Sequence, residues 1–438
     1  MRFNHTSHFV NLASNLSPPT SNMKRLLLFF LSAKLLALMG AFLATFFAPI
    51  SYKFTAAYDF GLRLPYYLWV WGNFDGTHYL EVARNWYHQL EYPFFPLYPL
   101  MIRIIFQFFD SLKIYVPYIT IGVVLSNLLF LAALFVAYRI IIFDKQKALV
   151  PLLFLALITY PTSFFYGAVY NDALFFLLAS LTIYFSRQKS FLLASITASF
   201  AMLTRLNALA LVFLIAFEYL DSIWGGLSPG SGPLRRSFSE ASGGEGARLR
   251  AVARQRWWNL EIKSKLTLKE IFRSKVFFVG LVPLTFIGYL IYIQNLSGNW
   301  QDFFTSMKVW NQSEPTIPLQ VAYRYLKIFL TVPPSALVFW VAVFEFLSVL
   351  FYLAMLVFSF RKIRLSYWIF FAVSILIPSL TGTFAGMPRY GLHIYPFFLS
   401  IALFLQSKPL RFKLAYFAVS LVLFLFAITL FTRGYFVS

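Results

Sequence analysis

The chain contains no cysteine, which excludes disulfides, thiolate nucleophiles and thiolate-bound metals. It is also short of charge. Only 12% of its 438 residues are Asp, Glu, Lys or Arg, where soluble domains carry roughly 25%, so a soluble globular protein is excluded. Acids number 16 and histidines five, and no His-Glu-x-x-His spacing, Gly-rich phosphate loop or Asp-x-Asp pair occurs. No metal and no cofactor are expected.

What the chain has instead is apolar and aromatic mass: 60% hydrophobic residues, with 54 Phe and 26 Tyr. Many apolar runs approach the ~20 residues needed to cross a bilayer, so the expected class is an all-α polytopic membrane protein. The rings suit lipid-facing and headgroup-level surfaces. The net charge of +21 does not point to nucleic acid, because most Lys and Arg sit in short loops between apolar runs. That is the positive-inside pattern.

Apolar runs place spans near 26–48, 116–141, 148–166, 173–185, 190–204, 207–223, 276–295, 335–360, 366–381, 391–406 and 414–432, about 11 in all. Lys24-Arg25 ahead of the 26–50 run reads as an uncleaved signal anchor. With the N-terminus inside, about two thirds of the 37 Lys and Arg fall on the cytoplasmic side. This divides the chain into a polar N-terminus (1–22), an N-terminal transmembrane module (23–223) with an outer loop at 49–115, a basic cytoplasmic loop (224–275) and a C-terminal transmembrane module (276–438). Within the outer loop, 74–90 reads as an amphipathic helix lying along the interface. In the cytoplasmic loop, the Gly/Ser/Pro/Arg-rich start to Gly246 has too little apolar content to order. The basic stretch Arg248–Lys275, with Trp257-Trp258, suits anionic membrane lipid. No internal repeat of the kind found in secondary transporters is evident.

On this threading, polar residues from four distant segments reach the outer half of the membrane. They are Asp75, with His78 beside it; Asn171 and Asp172; Arg205 and Asn207; and Arg389 with His393. Ionisable groups at membrane depth are costly and mark functional sites. Pro93, Pro96 and Pro99 follow Asp75 and imply a shaped loop rather than a spanning helix. A carboxylate can take a proton from an attacking hydroxyl, and arginine forks match phosphate oxygens better than lysine does. Two of each around one cavity suit transfer of a sugar from a lipid phosphate. Plainer readings exist: Asp75 and Asp172 as helix N-caps, Arg389 as an interfacial snorkeller, His393 as a packed or hydrogen-bonded core residue, and the Phe-Phe pairs as packing.

Asn73-Phe-Asp-Gly-Thr-His-Tyr-Leu80, followed by Phe94-Phe-Pro-Leu-Tyr-Pro99, resembles the signature of the PIG-V-like mannosyltransferases, integral-membrane glycosyltransferases of the GT-C class. Their pattern runs Trp-Asp-x-x-x-Tyr and later Phe-Phe-Pro-Leu-Tyr-Pro, which aligns Asp75 and Tyr79. The segments 161–175, 203–207 and 387–396 look like its later motifs in the same order. Here the preceding Trp is Trp71 rather than the neighbour of the Asp, Asn171-Asp172 stands where Ser-Glu is usual, and 225–256 is an insert. The resemblance implies a GT-C-type fold and an extracytoplasmic active site in a plasma or endoplasmic-reticulum membrane. It also implies a polyprenyl- or dolichyl-phosphate mannose donor and inverting transfer to a glycan or glycolipid hydroxyl. Asp75 would be the catalytic base and Asp172 the second acidic position. His78, Tyr79, Asn171, Arg205, Asn207, Arg389 and His393 would contact substrate. The competing expectations are a flippase or transporter of lipid-linked glycans, and a scaffold acting through 235–275.

Overall fold

The computed structural model describes residues 20–51, 55–56, 64–88, 90–224, 268–310, 312 and 315–436. The expected polar N-terminus lies outside these residues as far as position 19. Most of the expected cytoplasmic loop (225–267), including Trp257 and Trp258, lies outside them too. Every regular element among the described residues is helical. The longer helices are α1 (Thr20–Phe47), α2 (Asp75–Asn85), α3 (Leu97–Ser111), α4 (Tyr118–Phe143), α5 (Val150–Thr159), α6 (Asp172–Arg187), α7 (Phe191–Met202), α8 (Leu209–Trp224), α9 (Leu281–Ser297), α10 (Pro318–Thr331), α11 (Leu337–Ser359), α12 (Leu365–Ser379), α13 (Tyr395–Gln406) and α14 (Leu410–Thr432).

Six stretches are long and apolar enough to cross a bilayer: Met23–Phe47, Tyr118–Phe143, Leu206–Ile223, Val276–Ser297, Leu337–Ser359 and Leu410–Thr432. This is a membrane protein. Several of the other expected spans turn out to be short helices joined to irregular backbone. The run at 148–166 is α5 followed by a 3₁₀ turn, Ser163–Gly167. The run at 391–406 begins with a 3₁₀ turn, Gly391–His393, and becomes α-helical only at Tyr395. The expected interfacial helix 74–90 stops at Asn85, where Trp86 takes a left-handed φ of 72°. Pro96 sits at the N-cap of α3 and Pro99 in its first turn, where a missing N–H is tolerated. The proline-rich loop therefore leads straight into a helix that hydropathy did not mark as a span.

The centre of the bundle is α6. Nearly its whole circumference is buried, as expected of a helix apolar on every side, and it packs against α4, α7 and α8. The first and last long helices lie together through small residues. Ala37, Ala41 and Ala44 are buried on α1. A Cβ on Gly40 would come within 2.9 Å of Ile428 on α14. Such stripes allow the close backbone approach on which helix association in lipid depends.

One end of the bundle is tied by ions. Arg187, at the end of α6, donates to Asp144 at 2.8 Å and to Glu218 at 3.4 Å. Glu218 and Asp221 of α8 accept from Arg364, just before α12, and Tyr367 of α12 donates to Asp144 at 2.8 Å. The candidate site lies at the other end, where α6 begins.

Candidate functional site

Asp75 opens α2 immediately after Phe74, whose φ of 55° is a left-handed conformation rare for a bulky residue. Such strain persists only where the surroundings fix it, and it clusters at working sites. The surroundings here are specific. Tyr170 donates to the Asn73 carbonyl at 2.8 Å, and the Asn73 amide bridges the Ala56 N–H and the Phe431 carbonyl. The N-cap of α2 is Phe74 and makes no side-chain cap bond. The partner of Asp75 is instead Arg389, whose Nη1 donates to Oδ2 at 2.8 Å. The capping reading of Asp75 is thereby replaced by an ion pair joining residues 314 positions apart in the chain.

Asp172 also does not cap. It is fully buried at the start of α6, and Oδ1 accepts a 2.7 Å hydrogen bond from Nε2 of the equally buried His393. The Arg205 and Arg389 guanidiniums lie 3.5 and 3.9 Å from the same oxygen. Oδ2 of Asp172 and Nδ1 of His393 have no hydrogen-bond partner among the described residues. Arg205 further donates through Nε to Asn171 Oδ1 at 2.9 Å. The result is an alternating row, Asp75–Arg389–Asp172–Arg205, in which two carboxylates balance two guanidiniums. Arg389 is no snorkeller: its guanidinium sits over the Tyr170 and Phe165 rings, at 5.1 and 5.3 Å from their centres.

The backbone carrying Arg389 and His393 is held by phenols from elsewhere in the chain. Tyr160 and Tyr352 share a 2.6 Å hydrogen bond, Tyr352 donates to the Met387 carbonyl, and the Gly391 N–H donates back to Tyr352. Thr162 and Tyr166 donate to the Pro388 and Leu392 carbonyls. Gly391 is required by space, since a Cβ there would sit 2.6 Å from the Tyr352 oxygen. Segment 160–171 thus braces both the Asp75 turn and the 387–393 segment.

A cleft of about 210 Å³ opens over this row. Asp75, Tyr79, Asn171, Arg205 and Arg389 line it, while Asp172 and His393 lie behind, in the protein interior. His78 does not line the cleft; it is stacked on Phe94 and lies 3.3 Å from Glu91. Burial pushes the Glu91 carboxyl up, but the hydrogen bond and charge of His78 outweigh it and hold Glu91 below its ordinary 4.5. Asn207 is buried, with neither polar side-chain atom bonded among the described residues, and does not line the cleft. Residues not singled out from sequence complete the walls, among them Tyr390 beneath Arg205, and Phe303, Met307 and Gln312 from the C-terminal half. Only Tyr390 carried a signal, as the neighbour of Arg389. Among the described residues no group of three or more His, Asp or Glu could hold a metal.

The arrangement can accept a proton at Asp75 and hold an anion at the two guanidiniums, inside a cleft rich in aromatic rings. No protein-family model and no curated protein matches the chain.

Proposed function

We propose that the chain is a membrane glycosyltransferase of the PIG-V-like, GT-C type, with about eleven spans. It would move a sugar, mannose by the resemblance of its motifs, from a polyprenyl- or dolichyl-phosphate donor to a hydroxyl of a glycan or glycolipid. The observation that carries this reading is the Asp75–Arg389 pair at the mouth of the cleft. As a sugar is transferred from a lipid phosphate, the phosphate leaves with an added negative charge, which Arg389 and Arg205 would stabilise. Asp75 takes the proton of the attacking hydroxyl. The new O–C1 bond forms as the C1–O bond to phosphate breaks, and the bonding electrons leave with the phosphate, so the anomeric centre inverts. Asp172 and His393 act from behind as positioning residues for both guanidiniums. Asp75 is tied to Arg389, and an incoming phosphate would compete for that guanidinium. Donor binding would free the base, so the donor enters before the acceptor reacts.

The test is transfer from radiolabelled polyprenyl-phosphate-mannose by the purified protein. Removing a general base typically lowers the rate ~10²–10⁴-fold, so Asp75→Asn should fold normally and lose activity on that scale. Transfer at the wild-type rate by Asp75→Asn would overturn the assignment. Uptake of lipid-linked glycan into vesicles without any transfer would replace it with transport.

A further inference from the structure

A second cavity, of about 450 Å³, lies between α1, the end of α4 and the start of α5, and its lining is mostly aliphatic. Its polar lining is one-sided. Arg25 and Ser32 come from α1, Tyr138 from α4, and Lys147 from the 3₁₀ turn before α5. These groups are all hydrogen-bond donors, and no acidic or amide side chain lines the cavity. Among the described residues none of the four makes an ion pair or side-chain hydrogen bond. Lys147 is three residues beyond Asp144, which the α6 terminus grips. The Lys147 end of the cavity therefore lies at the end of the bundle opposite the cleft.

We infer that this groove binds one anionic glycerophospholipid. Arg25 and Lys147 are exposed at its mouth and carry the phosphate. Ser32 lies seven residues, and so about 10 Å, further along the same helix face. With the Tyr138 hydroxyl, it reaches the depth at which ester oxygens need donors. The acyl chains lie against Leu28, Phe29 and Leu155, and exposed Leu28 leaves the groove open to the bilayer. A zwitterionic lipid brings its own cation to a mouth that already holds two, so the charge selects an anionic headgroup.

The inference is independent of the cleft's chemistry. It is tested on the full-length protein in detergent, by native mass spectrometry with phosphatidylglycerol and phosphatidylcholine titrated separately. Phosphatidylglycerol should be retained as one tight lipid and phosphatidylcholine should not. Arg25→Gln with Lys147→Gln should weaken phosphatidylglycerol about 30-fold, the loss of two cation contacts at a headgroup. Tyr138→Phe should weaken it less and keep the preference for anionic lipid. Lys145→Gln, a nearby exposed cation outside the groove, should change nothing. Equal retention of both lipids, an unaffected Arg25/Lys147 variant, or an equal loss in Lys145→Gln would each overturn the inference.

Discussion

Arg389 links two acids of different character, half-exposed Asp75 and fully buried Asp172. Its planar fork spans both at once, which an ammonium cannot do. Arg389→Lys should therefore keep the charge but lose most of the transfer rate, on the order of 10²-fold. Steady-state kinetics on the purified protein would show it, and near-normal turnover would make Arg389 a bystander. Asp172 should behave otherwise. Asp172→Asn removes the buried carboxylate between the two guanidiniums and leaves Arg205 with no ion-pair partner among the described residues, and breaking a buried ion cluster costs about 3–5 kcal/mol. Its first sign should be a lowered melting temperature, in contrast to Asp75→Asn, which should keep its stability.

At the scale of elements, short helices matter more than long ones. α5 ends and α13 begins at irregular backbone, and those breaks place Arg389 and His393 at the start of α6. Non-helical backbone at membrane depth is tolerated only where protein covers it, and the phenols of Tyr160, Tyr166 and Tyr352 supply that cover. Gly391→Ala tests the arrangement, because its Cβ would enter space held by two hydrogen-bonded hydroxyls. Overpacking of this kind costs about 1–3 kcal/mol. The shift should fall on the Arg389 segment, so activity should drop further than thermal stability. Equal small losses in both would show the segment to be slack.

At the scale of the whole molecule, the two ends of α6 are organised by different chemistry. One end faces a cleft, and the other is locked by Arg187, Asp144, Glu218, Asp221 and Arg364. Glu218 accepts from Arg187 at the end of α6, from Arg364 just before α12, and from Ser366. Glu218→Ala removes the carboxylate both cations share, leaving Arg187 only Asp144 and Arg364 only Asp221, and about 3 kcal/mol of stability should be lost. A thermal melt in detergent measures this, and an unchanged midpoint would mean the lock is dispensable. Sequence reading passed over this cluster because its members look like ordinary loop charges next to spans. Nothing local marks Asp144 and Arg364 as neighbours of one helix end.

Composition alone determined the membrane class, because too few charges remain to cover a water-facing surface. Hydropathy located the long helices, since bilayer thickness demands uninterrupted apolar length. The motif segments also drew attention to Asp75, Asp172, Arg205 and Arg389, as charges that lipid makes expensive. Tertiary structure decided their partners. It paired Asp75 with Arg389, buried Asp172 against His393, turned His78 towards Glu91 and left Asn207 behind the cleft wall. The physical reason is range. Propensity and periodicity act over a few turns of chain, whereas each of these decisions depends on the side chain that folding brings alongside from a distant helix.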